Sequence, residues 1–107
     1  MTTKVARTTC NSECPVRKTA GILDGKWTTL IVRDLLSGKK RYSELLESLE
    51  GISPKMLATR LNFLRAQGIV SKKIYPVVPP KTEYQLTARG RSLSDVIAAM
   101  AAFGEAI

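Results

Sequence analysis

The sequence contains no histidine. That removes Ser-His-Asp and Cys-His catalysis together, because neither nucleophile has its base. Cysteine occurs twice only, as Cys10 and Cys14. Two thiolates cannot fill the tetrahedral shell of a structural zinc, and two thiols in a reducing compartment are not a disulfide scaffold. There is no Gly-rich phosphate loop, no internal repeat and no low-complexity segment. No apolar run reaches the roughly 18 residues that suggest a membrane span. The N-terminal "MTTKVARTT" lacks the apolar centre of a signal peptide, which points to the cytoplasm. These absences argue against an enzyme, a metal site, a bound cofactor or a membrane protein.

Positive charge is what the chain has in excess. Lys and Arg number 17 against 9 Asp and Glu, a formal charge of +8 on 107 residues. Such an imbalance favours a polyanionic partner, DNA or RNA first, although basic proteins are also often merely soluble. The length suits one domain, with a modest core that a second copy would help to complete.

Residues 1–11 are polar and are expected to form a flexible arm ahead of a domain over 12–107. A first helix is predicted from Pro15 to about Leu23, with Pro15 in the first turn, where its missing N–H costs nothing. Asp24-Gly25 breaks it. A second helix, "KWTTLIVRDLLS", stops at Gly38, a residue suited to the left-handed position past a helix end. In "KKRYSELLESL", Ser43 is a candidate cap for a short helix and Glu44 favours its positive end. Leu45, Leu46 and Leu49 would face inward. "EGIS" reads as a tight turn. Ser53 and Pro54 then mark the start of a helix ending near Gln67, closed by Gly68.

Beyond Gly68 the pattern becomes that of strands. "IVSKKIY" and "KTEYQL" alternate, the latter placing Thr82, Tyr84 and Leu86 on one face. "PVVPP" between them reads as a loop tip. Thr87 is expected to cap a last helix in which Leu93, Val96, Ile97, Met100 and Phe103 recur at helical spacing. The fold expected is mainly α with a small β-hairpin, a winged helix-turn-helix, whose second paired helix enters the major groove.

At 100° per residue, Leu57, Leu61 and Leu64 fall on one side of the helix over 53–67 and Lys55, Thr59, Asn62 and Ala66 on the other. Arg60 and Arg65 flank that outer side. Thr and Asn can bond base edges, and cations reach guanine or phosphate. The free N–H groups of the first turn, after Ser53, suit a phosphate. An ordinary amphipathic helix with a solvated face would also show this pattern. Met56 and Phe63 are expected to pack on a neighbouring element. Lys39, Lys40 and Arg41 precede the short helix, Lys72 and Lys73 lie on the first wing strand and Lys81 begins the second. All sit where this fold meets phosphate, which fixes register, while base contacts choose sequence. About five to seven neutralised phosphates per subunit would give a log K against log[salt] slope near −5 to −6.

In combination, "CPVRKTAGILDGKW", "RYSEL", "GISPKML", "GIV" and "YPVVPPKTEYQLTARG" resemble the HxlR-type winged helix transcription regulators over residues 14–93. The resemblance implies a cytoplasmic homodimer on double-stranded DNA with a palindromic operator, half-sites about 10 bp apart or a multiple. Its dimer contacts would come from the N- and C-terminal helices, here near Cys14–Leu23 and the Leu93–Phe103 stripe. That stripe also suits monomer core, and one helix can serve both. Several such regulators sense oxidants or electrophiles through a cysteine matched by Cys14. Some have a second cysteine downstream, whereas here the other is Cys10, upstream.

A helix start and the cations Arg17 and Lys18 favour the Cys14 thiolate, and Glu13 opposes it. A free cysteine is equally at home as a small buried apolar group. A Cys10–Cys14 bridge is unattractive on a helix, since Cβ atoms four residues apart lie about 6 Å from each other. An intersubunit bond, or capping by a small thiol, is easier if the N-terminal helices meet at a dyad. The alternative to a redox-sensing regulator is a winged helix that binds protein, or nucleic acid without sequence preference.

Overall fold

The computed structural model describes residues 13–107. The arm expected over 1–11, and Cys10 with it, lies outside the described residues. Helix α1 (Pro15–Ile22) begins with proline in its first turn, after Cys14 in extended conformation. Gly25, at a φ of +82°, turns the chain into α2 (Lys26–Leu36), which buries Thr28, Ile31, Val32 and Leu35. A two-residue strand, β1 (Lys40–Arg41), leads into α3 (Tyr42–Ser48). Helix α4 (Pro54–Ala66) follows a turn at Gly51. Strands β2 (Val70–Tyr75) and β3 (Lys81–Leu86) form the hairpin. Two helices close the chain, α5 (Ala88–Arg91) and α6 (Ser94–Glu105).

The core draws on each of the middle elements. Ile31, Val32 and Leu35 from α2 meet Leu45 and Leu49 from α3 and its end. Leu57, Leu61 and Leu64 from α4 are fully buried among them. Ile52 before α4, Val70 of β2, Tyr84 and Leu86 of β3 and Ile69 before β2 complete the cluster.

Three expectations need correction. The sheet has three strands, in the order β1-β3-β2, because Lys40 pairs with Tyr84 and Arg41 with Glu83 along the free edge of β3. Ser43 is not the cap of α3. The helix starts at Tyr42 with Arg41 at the cap position, and Glu44 Oε1 reaches back to accept the Arg41 N–H at 2.8 Å. Thr87 does cap a helix, but the short α5, accepting from Gly90 N at 3.0 Å. The chain then tightens, with Ser92 N bonded to Arg89 O and Leu93 N to Gly90 O. These three-residue hydrogen bonds are too tight for an α-helix and separate α5 from α6.

Thr87 also donates to the Gly68 carbonyl at 2.6 Å, so the hydroxyl ties the end of α4 to the base of the hairpin. The molecule is long, 55 Å in its greatest extent. Its radius of gyration is 15.5 Å, where a compact chain of this length has about 13 Å. Among the described residues, no helix is long and apolar enough to cross a membrane.

Candidate nucleic-acid interface

Helix α4 is set by its two ends and its buried stripe. Ser53 Oγ accepts from Met56 N at 3.1 Å, with Pro54 in the first turn. Ser53 thus caps the helix as an acceptor, which leaves its O–H as a donor. Gly68, at a φ of +74°, releases the chain at the far end. With Leu57, Leu61 and Leu64 inward, Lys55, Thr59, Asn62 and Ala66 are exposed together, as the helical spacing required. Met56 and Phe63 pack against the core. Tyr42 Oη donates to the Pro54 carbonyl at 3.0 Å, fixing the start of α3 against the start of α4. Ser48 Oγ donates to Asp34 Oδ2 at 2.6 Å and fixes the other end of α3 to α2.

The flanking arginines differ. Arg65 is exposed. Arg60 is half-buried, and its guanidinium lies beside Gly25 at the start of α2. Its Nε is buried without a hydrogen-bond partner. Lys72 and Lys73 are both exposed, yet on opposite faces of the wing, because successive side chains of a strand alternate. Lys72 stands opposite Tyr84 and Lys73 opposite Glu83. Lys81 is exposed at the start of β3, opposite Tyr75. Between Arg41–Ser43 and the wing tip Val77–Thr82 runs an open groove of about 650 Å³. Val78 at that tip is fully exposed.

The outer face of the sheet carries a cluster that motif reading missed. Glu83 Oε1 accepts from Tyr75 Oη at 2.9 Å and lies 3.7 Å from Lys39 Nζ. The Lys73 ammonium sits 4.9 Å from the centre of the Tyr75 ring. The hydrogen bond to Glu83 raises the Tyr75 pKa above the ordinary 10.0. Burial raises that of Tyr84, against the opposing Arg65 charge. One signal was legible: Glu83 is the sole acidic residue between Gly51 and Ser94. The ties of Tyr42 to Pro54 and of Thr87 to Gly68 gave none, since those partners lie 12 and 19 residues away.

Cys14 is a free thiol, 6% exposed, preceding the first turn of α1 without a cap hydrogen bond. Lys18 pairs with Glu13 at 3.9 Å, on the surface. Among the described residues, no cluster of His, Cys, Asp and Glu could hold a metal.

A buried-stripe reading helix, held against a shorter helix and followed by a basic hairpin, is the arrangement of a winged helix DNA-binding protein. The chain belongs to the HxlR-like helix-turn-helix family, whose model matches residues 22–107. The HTH-type transcriptional regulator sll1512 of Synechocystis sp. is 43% identical over 91 residues, 85% of this chain and 67% of its own. A MarR-family transcriptional regulator from Porphyromonas gingivalis W83 superposes with a TM-score of 0.89 at 44% identity, over 92% of this chain and 97% of that one. The redox regulator HypR in its reduced form gives 0.83 at 38% identity, over 86% and 91%. The family and these relatives are transcriptional regulators, not enzymes.

Proposed function

We propose that this chain acts in the cytoplasm as a homodimeric, sequence-specific regulator on a palindromic duplex operator. The observation that carries the reading is the exposed row of α4, Lys55, Thr59 and Asn62, on a helix whose opposite side is wholly buried. Thr59 and Asn62 read base edges, with Lys55 at the helix start. Arg41, Arg65, Lys72, Lys73 and Lys81 hold the sugar–phosphate backbone, and Arg60 does so from the rim beside Gly25.

Dimerisation is supported by what the terminal helices leave uncovered. No residue of α6 or α1 is fully buried. Leu93 and Ile97 pack on the core, but Met100 and Phe103 are 47% and 72% exposed. Val16 on α1 is 62% exposed. Bare apolar helix faces of this kind mark an association surface. The stripe over 93–103 thus divides its work between the core and the second copy.

Cys14 is the candidate sensor, supported by its place at the start of α1 and by the likeness to HypR. Its burial means that an oxidant or electrophile reaches it through local opening of α1. Oxidation then alters how the two reading helices are held and changes operator affinity.

Selection of bound sites from random duplexes tests the reading. A palindrome with half-sites about 10 bp apart, or a multiple, is expected. Absence of DNA binding even at low salt would favour a protein-interaction module. Oxidant treatment should shift the affinity of the wild type and leave Cys14→Ser unaffected. Equal responses would overturn the sensor role.

A further inference from the structure

The geometry points to Glu83 as a brake on sequence-independent DNA affinity, acting by holding cations of the sheet's outer face away from the phosphate backbone. The inference rests on the DNA-binding reading above and adds to it a residue of the opposite charge. Strand register places Glu83 between Lys73 on β2 and Arg41 on β1. Residues directly opposed in this way project from the same face. Lys39 comes to 3.7 Å of the carboxylate, and Tyr75, over which Lys73 lies, donates to it at 2.9 Å. Lys39 is thus in ion-pair range of the carboxylate, while Lys73, over the Tyr75 ring, and Arg41, by strand register, share its face.

Lys72 and Lys81 form no ion pair among the described residues. Lys39 does, and a DNA phosphate must displace Glu83 to use its full charge. Glu83 is also only 21% exposed at its side chain, while Lys39 is 60% exposed. The acid is held in place by the sheet and by Tyr75, and the lysine comes to it. Such a contact carries no base information, so releasing it raises affinity for every duplex alike.

Wild type and Glu83→Gln are titrated at several salt concentrations against two duplexes, one bearing the site selected from random sequence and one of poly(dI-dC). Glutamine keeps the shape and an acceptor for Tyr75. The variant is expected to bind both duplexes about five- to tenfold tighter per subunit near 0.1 M salt, with a salt slope steeper by about one. The Tyr75 pKa should fall toward its ordinary value, visible as tyrosinate absorbance. Asp24→Asn adds the same charge in the exposed turn before α2 and should change neither affinity by more than about twofold. An unchanged slope in Glu83→Gln, weaker binding, or an equal gain in Asp24→Asn overturns the brake. Should Glu83→Gln not fold, Lys39→Gln replaces it. Its loss of slope should be smaller than that of Lys72→Gln, and an equal loss overturns the inference. Wild type that binds neither duplex would overturn the DNA-binding reading itself. Wild type that binds while the variants behave as it does would remove only the role of Glu83.

Discussion

A methyl group added at Gly90 would overlap the Ile69 carbonyl oxygen and come within 3.0 Å of Leu86 Cδ2. The carbonyl is held by Thr87 N at 2.9 Å and cannot withdraw freely. Gly90→Ala is therefore expected to cost about 1–3 kcal/mol of stability, read from urea unfolding. The tyrosines of the wing make a second residue-scale prediction. Tyr75, through its bond to Glu83, and Tyr84, through burial, both titrate above 10.0 in the folded chain. The folded state then keeps protons that the unfolded state gives up. The stability tied to them is complete below the unfolded value and is lost as pH rises through the folded one. Tyr75→Phe should show a shallower alkaline decline than wild type in thermal melts across about pH 9–11.

At the scale of elements, the two sides of α4 have separable consequences. Asn62→Ala should lower affinity for the selected site and relax its sequence by about 1–3 kcal/mol of discrimination at one position. Lys72→Gln should weaken all duplexes alike and flatten the salt slope by about one per subunit. Competition binding with selected and scrambled duplexes separates the two. The reading helix was legible because its signals are local. Ser53-Pro54 marks the start, Gly68 the end, and three leucines at helical spacing give the buried side. The hairpin was legible for the same reason, through alternation and a proline-rich tip. Strand β1 was not, since two consecutive cations carry no strand pattern and become a strand only by lying along β3. The break between α5 and α6 was hidden for a similar reason. Nothing in "ARGRSLS" interrupts helical spacing, and the turn follows from packing Gly90 onto the Ile69 carbonyl. The Glu83 cluster needs the strand register, which brings Arg41 from 42 residues earlier in the chain to its side.

At the scale of the whole molecule, the bare terminal helices are the dominant feature. Phe103→Glu puts a charge on the most exposed aromatic of α6. It should leave the monomer folded, because α6 lends only Ile97 to the core packing, while shifting sedimentation from dimer to monomer. Operator affinity should fall with it, since one half-site is then read at a time. Under the proposed pairing, free chains and pairs exchange by mass action. While pairs are scarce, occupancy of a two-part site climbs with the square of chain concentration. Such a regulator responds to its own abundance as a threshold, so its dosage becomes a signal alongside any chemical one.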